Sequence, residues 1–289
     1  GFESEEGRGS TFWFRQRAVR HAGPLPGPQP LAAAGSLAGM RILLAEDNAV
    51  NREIAAAILG SLGCEVELAE DGAQAVVAAR AGAHDLILMD CQMPMMDGYT
   101  ASRCIRRDEQ QGGRAAVPIV ALTANALAGD REECLAAGMD DYISKPVTRE
   151  QLAAVLRRQR PAPLAVSSAA AAATGERRAS LVFDASVVSS LPMVADASNP
   201  GFADRVLDMF SRNTRQMLDE IDTASRQGDL ATLQRAAHTL KSSSATVGAL
   251  ALAEQSKQLE MLLRSGKQPA DDWPAVLRAA YDQFAEALA

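Results

Sequence analysis

Aromatic side chains are scarce in this sequence, at 4% of 289 residues, so a core has to be built from Ala, Leu, Val and Ile. Positive charge is not in excess either: 29 Lys and Arg stand against 36 Asp and Glu, for a net charge of −7. Without a concentrated basic face there is nothing to neutralise nucleic-acid phosphates, and the balance fits a protein that meets other proteins. No apolar run approaches the roughly 18 residues of a membrane span. Cysteine is limited to Cys64, Cys91, Cys104 and Cys134, with no CxxC pair and no regular spacing. That argues against a zinc site or a disulfide framework and reads as a reducing, cytoplasmic setting. The chain opens on Gly1, no signal peptide follows, and it reads as part of something longer. What is present, 47% hydrophobic and 22% charged residues, is the composition of a globular protein of about two domains.

Two stretches punctuate the chain. GPLPGPQPLAAAGSLAG (23–39) alternates Pro with small residues, and PAPLAVSSAAAAATGERRAS (161–180) is Ala/Ser-rich without an apolar period. Between them RILLA (41–45), DLILM (85–89) and VPIVALT (117–123) are buried-strand runs, YIS (142–144) is a shorter one, and CEVELA (64–69) alternates with Val66 and Leu68 on one face. Helical spacing in Ile54, Ile58, Leu59 and Leu62, in Ala75, Val76 and Ala79, and in Leu152, Val155 and Leu156 supplies the helices. This rhythm predicts a doubly wound, five-stranded parallel sheet of flavodoxin-like type, with ligands at the carboxyl ends of its strands. After the second stretch, four amphipathic stripes broken at Gly228, Gly248 and Gly266 predict an all-α antiparallel four-helix bundle.

The predicted strand ends carry polar residues. The first runs into Glu46 and Asp47, the third ends on Asp90, the fourth on Thr123, and Lys145 follows the fifth. Three converging carboxylates repel one another without a cation, and a few oxygen ligands suit Mg²⁺ joined to a phosphate. Thr123 can donate to a phosphoryl oxygen and Lys145 brings a compact positive charge. Phosphoryl transfer needs little more than positioning and charge, and Asp90 can form an acyl phosphate. Either Asp47 or Asn48 could instead serve as the cap of the next helix.

The runs LLAEDNAVNREIA (43–55), DLILMDCQMPMMDGYTASRCIR (85–106), PIVALTANAL (118–127) and GMDDYISKPV (138–147) resemble a response-regulator receiver domain of the kind fused to hybrid histidine kinases. The resemblance implies that Asp90 is the phosphoacceptor and that Glu46, Asp47, Asp90 and the Gln92 backbone carbonyl hold Mg²⁺. It implies that Thr123 and Lys145 contact the phosphoryl group, that Tyr142 swings inward when Thr123 moves, and that Lys145-Pro146 is cis. Gln92 and Asn125 fall where the family tunes phosphoryl lifetime.

Of the three histidines, His238 stands beside the apolar seam of its stripe, where helical geometry groups it with Gln234, Lys241, Ser242 and Ala245. It reads as an exposed imidazole within reach of another protein's active site, with Lys241 favouring an incoming phosphoryl group. The run RAAHTLKSSSATVGALAL (235–252), with FADRVLDMFSRNTRQMLDEI (202–221) ahead of it, resembles a histidine phosphotransfer (HPt) domain. Ser242 departs from the glycine usual there, and being small it should leave the imidazole accessible. Finally, GFESEEGRGSTFWFRQR (1–17) resembles the closing strand of a histidine kinase ATP-binding domain.

These readings divide the chain into a kinase-domain remnant (1–17), a linker (18–38), a receiver domain (39–158), a second linker (159–180) and a phosphotransfer domain (181–289). The expected function is a phosphorelay: Asp90 accepts a phosphoryl group from a kinase histidine with Mg²⁺, and His238 relays it to or from a downstream receiver. The expected partners are an upstream dimeric histidine kinase domain of the same parent chain and a downstream response regulator receiver, with no nucleic acid. ATP hydrolysis is not expected of this segment, since the nucleotide pocket would lie upstream; membrane anchoring of the parent stays open. Two rivals remain. One is a docking module without turnover. The other is an aspartyl-phosphate phosphatase, which asks for a second acid where Gln92 stands.

Overall fold

The protein is described by a computed structural model over residues 2–5, 9–12, 37–123, 128–159, 182–189, 194, 199–266, 269–270 and 272–288. It divides into two units, Gly1–Gly35 and Ser36–Ala289. In the first, β1 (Phe2–Glu5) pairs antiparallel with β2 (Gly9–Phe12), Phe2 opposite Phe12.

In the second unit Ile42, Leu43, Leu44 and Ala45 are fully buried, as a strand covered on both faces demands. They form β3 (Arg41–Ala45). Around it lie α1 (Ala49–Ser61), β4 (Glu65–Ala69), α2 (Gly72–Ala81), β5 (Leu86–Asp90), α3 (Gly98–Gln111), β6 (Ile119–Thr123), α4 (Ala128–Ala136), β7 (Asp141–Ser144) and α5 (Arg149–Gln159). The sheet is parallel throughout, in the order β4-β3-β5-β6-β7. Alternate residues sort to its two faces. Ile42, Leu44, Leu86, Leu88, Val120 and Leu122 pack toward α1 and α5. Leu43, Ala45, Ile87, Met89, Ile119 and Ala121 pack toward α2 and α3. β4 forms as an edge strand, with Val66 half-buried against the core, Leu68 on the same face 50% exposed, and Ala69 buried. Leu37 and Met40 are buried in the same core, so packed chain begins at least two residues inside the Pro-rich stretch.

The last part is helical. After the short α6 (Ala185–Ser189) come α7 (Phe202–Gln227), α8 (Leu230–Val247), α9 (Leu250–Arg264) and α10 (Trp273–Leu288). Only Gly228-Asp229 and Gly248-Ala249 separate the first three long helices, so each must fold back along its predecessor. Gly248 has φ +80, and a side chain there would collide with the Asp184 carbonyl that the turn packs against. Phe284 is fully buried and meets the Phe210 and Phe183 rings edge-on, each at 5.2 Å between centroids. The bundle is not a separate ball. α1 packs on α7 and α8, and the buried apolar residues of the α1 sheet face run without a break into those of the bundle.

Candidate functional site

The carboxyl ends of β3, β5, β6 and β7 assemble the first half of the site. Asn48, not Asp47, caps α1: its Oδ1 accepts from the Val50 and Asn51 amides at 3.0 and 3.1 Å. Asp47 is thereby left to the sheet edge, where carboxylate oxygens of Glu46, Asp47 and Asp90 all lie within 4.8 Å of one another. Lys145 is the first residue of the cis Lys145-Pro146 pair, and its amide donates to the Thr123 carbonyl at 2.7 Å, joining the ends of β6 and β7. Its Nζ bridges Glu46 Oε2 at 2.6 Å and Asp90 Oδ2 at 2.7 Å. The Gln92 amide donates to Asp90 Oδ1 at 3.2 Å.

One ammonium faces three carboxylates. Burial, then repulsion from Glu46, pushes the Asp47 carboxyl up to about 6. Burial also pushes Asp90 up, to about 8, with Lys145 opposing and Glu46 and Asp47 adding to the rise. Burial works against the Lys145 ammonium, but Asp90 and Glu46 outweigh it and hold its pKa above the ordinary value. Such a site gains from a divalent cation, and an all-oxygen donor set of this size fits Mg²⁺.

His238 on α8 supplies the other half. Its Nδ1 lies 2.8 Å from Glu260 Oε1 on α9. Glu260 also receives Lys241 on Oε2 and Arg264 on Oε1, the latter at 2.8 Å. Burial alone would raise the Glu260 carboxyl; His238 and Lys241 outweigh it and bring it down to about 2. Burial lowers the His238 pKa, and the pull of Glu260 does not restore it. A lowered pKa favours the neutral imidazole, and in that form a proton kept on Nδ1 for the Glu260 carboxylate leaves the lone pair on Nε2.

The two halves meet. Asp90, Thr123 and Gln92 line the same cavity of about 360 Å³ as His238, Gln234 and Arg264. Asn51 of α1 joins them a second way, its Nδ2 donating to Glu46 Oε1 and to Ser242 Oγ, each at 3.0 Å.

Glu46, Asp47, Asp90, Gln92, Thr123 and Lys145 thus cluster as the sequence predicts. Tyr142 packs half-buried on the α2–α3 face and does not line the cavity. Asn125 lies outside the described residues. Three expectations change. His238 is not exposed: it keeps 8% of its surface, because the α/β domain covers it. Lys241 does not reach toward an incoming group but pairs with Glu260. Ser242 does more than stay small, since it takes the Asn51 bond. None of the four cysteines forms a disulfide, and the Cys91 and Cys134 sulfurs lie 3.9 Å apart. Sequence reasoning missed Glu260 and Asn51. The available signal was a carboxylate in line with the buried positions Ser256 and Leu263 of its helix.

Comparison with known proteins gives two family matches: the response regulator receiver domain over residues 42–157 and the Hpt domain over 205–287. The chain is 44% identical over 116 residues to the sensor protein GacS of Pseudomonas syringae pv. syringae, covering 40% of this chain and 13% of that protein. It is 41% identical over 122 residues to the signal transduction histidine-protein kinase BarA of Escherichia coli K12, covering 42% and 13%. The solved receiver domain of the sensor histidine kinase PA1611 from Pseudomonas aeruginosa PAO1, with magnesium in its active-site cleft, is 53% identical. That match covers 42% of this chain and 98% of that one, with a TM-score of 0.39. The matched part spans about an eighth of the length of these curated relatives.

Proposed function

We infer that this chain, which carries a response regulator receiver domain followed by an Hpt domain as hybrid histidine kinases do, passes a phosphoryl group between Asp90 and His238. The observation that carries the reading is the single cavity lined by both residues. An Asp90 carboxylate oxygen attacks the phosphorus of a kinase phosphohistidine; a P–O bond forms, the P–N bond breaks, and the donor imidazole leaves. In the second step His238 Nε2 attacks that phosphorus, forming N–P and breaking O–P, so the Asp90 carboxylate is restored. His238 passes the group on to a downstream receiver by the reverse chemistry.

The remaining roles follow. Glu46, Asp47, Asp90 and the Gln92 carbonyl would hold Mg²⁺, whose charge offsets the crowded oxygens. Lys145 and Thr123 neutralise and orient the phosphoryl oxygens. Tyr142, on the sheet face that Ala121 and Thr123 share, would follow a movement of Thr123. Glu260 keeps the proton on Nδ1, and Lys241 steadies Glu260. The β1–β2 hairpin belongs to the end of a kinase ATP-binding domain in the same parent chain, which would be the upstream donor.

The test is labelled acetyl phosphate with Mg²⁺ on the chain, on Asp90→Asn and on His238→Gln. Acid-labile, base-stable label on His238 that requires Asp90 supports the relay. Label confined to Asp90 makes the bundle a docking partner, and no label in a folded, Mg²⁺-binding chain overturns the reading.

A further inference from the structure

We propose that Asn51 and Ser242 form a recognition pair that seats the Hpt bundle on the receiver of its own chain and sets where His238 stands over Asp90. The proposal rests on the relay reading and adds to it the identity of the first partner. Its starting point is a spacing. His238, Ser242 and Thr246 recur every fourth residue along α8 and so share one face. Each meets a different part of the receiver: His238 the cavity of Asp90, Ser242 the amide of Asn51, and Thr246 the hollow lined by Ile54, Ala55 and Val147.

The middle contact is the specific one. Asn51 spends both Nδ2 hydrogens, one on Glu46 and one on Ser242, in a place where it is 8% and Ser242 6% exposed. Its Oδ1 is buried with no partner. A buried amide left half-satisfied is costly, so the two donated bonds are what justify an asparagine there. Undocked, the second hydrogen and the Ser242 hydroxyl would both need water. A receiver with an apolar side chain at this place would strand Ser242, and an acidic one would set a second carboxylate against Glu46 where Asn51 now donates, so the pair discriminates among receivers by what a wrong partner leaves unsatisfied or repelled. Around the pair the contact is apolar and continuous with both cores, and the covalent tether raises the local concentration of the bundle to the millimolar range. Because Ser242 lies one turn from His238, fixing it fixes the register of the imidazole. Because Asn51 also holds Glu46, the same amide ties docking to a carboxylate of the acceptor site.

The experiment follows label from Asp90 to His238 in the full chain after loading with acetyl phosphate and Mg²⁺, at several protein concentrations. The expected transfer is first order and independent of concentration. Ser242→Ala should slow it about fivefold, the effect of one buried hydrogen bond, with total label uptake unchanged. Ser242→Ala combined with Asn51→Ala should be no slower than Asn51→Ala alone. Mixing Asp90→Asn chains with His238→Gln chains should give transfer at least about tenfold slower at micromolar concentration. Wild-type speed in Ser242→Ala, independent losses in the double variant, or equal transfer in the mixture would each overturn the pair while leaving the relay standing. Label that never reaches His238 in any mixture overturns the relay itself, and the pair with it.

Discussion

Glu260 holds Nδ1 of His238 at 2.8 Å from the next helix of the bundle, and through Lys241 and Arg264 it is itself held from two more directions. An ionised carboxylate there favours the tautomer with its proton on Nδ1 and holds the ring plane, which leaves Nε2 as the other ring nitrogen. A histidine with a buried ionised partner is a better-aimed nucleophile than one that rotates in water.

That arrangement predicts the behaviour of Glu260→Gln. The variant keeps the shape of the side chain but loses the charge that favours the Nδ1–H tautomer, and it leaves Lys241 without its counter-ion. Formation of base-stable phosphohistidine should slow by at least about tenfold, or roughly 1.4 kcal/mol in the barrier, while acyl phosphate on Asp90 forms as before. Equal slowing of both labels would mean that Glu260 supports the fold and not the imidazole.

The same pair gives the bundle a pH signature. The folded His238 pKa lies below the ordinary 6.5, so the unfolded chain binds more protons as pH falls through that region. The stability this contributes is present above 6.5 and is lost as pH drops through the folded value. Glu260, brought from 4.5 to about 2, acts in a lower window: its contribution is present above 4.5 and fades toward 2. Urea unfolding at about pH 7.5 and about pH 5.5 should show His238→Gln losing less stability between the two than the parent chain. An identical loss in both would remove His238 from the account.

Asp47 offers a cleaner test of the metal than its neighbours, because Lys145 bridges Glu46 and Asp90 and that bridge survives Asp47→Asn. Removing one of three mutually repelling carboxylates should make the metal-free chain more stable. It should also weaken Mg²⁺, which at about a hundredfold its dissociation constant stabilises a folded state by about 2.7 kcal/mol. Thermal midpoints over a Mg²⁺ series should therefore cross, the variant higher without metal and lower with it. Parallel curves would place the cation elsewhere.

Much of this was legible in the sequence, and the rest was hidden for identifiable reasons. RILLA, LILMD and IVALT announce interior strands because both faces of each are covered. The exposure of Leu68 could not be read from the alternation of its strand, because an edge strand can carry a large side chain into water. α3 is a polar helix whose buried face includes Ser102 and Glu109, and Glu109 is met there by Arg106, one turn earlier on the same helix, and by the Val117 amide beyond its end. The carboxylates, Thr123, Lys145 and His238 could be picked out one by one, because strand ends and helix faces are local properties. Glu260 showed only as a carboxylate on the buried line of its helix and Asn51 not at all, because their partners are set only once α9 lies beside α8 and α8 beside α1. The burial of His238 is of the same kind.

Gly98 tests how closely the acceptor is held. The loop after Asp90 returns to it: the Gly98 amide donates to the Cys91 carbonyl at 3.1 Å, and Asp97 caps α3 through the Thr100 amide at 2.6 Å. A Cβ on Gly98 would collide with the Asp90 carbonyl oxygen and press on the Met89 side chain. Neither can yield easily, because both residues sit in a fully buried central strand. Gly98→Ala should therefore cost about 1–3 kcal/mol, the usual range for overpacking, and should slow labelling of Asp90 by shifting its carboxylate against Lys145. Gly60 is the matched control. It lies in α1, is exposed, and has nothing within 4 Å of an added Cβ, so Gly60→Ala should stabilise by about 0.5–1 kcal/mol through helix propensity. Urea midpoints moving in opposite directions, with labelling slowed only in Gly98→Ala, would establish that the close approach to Asp90 is what demands glycine. A Gly98→Ala chain as stable and as reactive as the parent would show that the loop can give way without disturbing the acceptor.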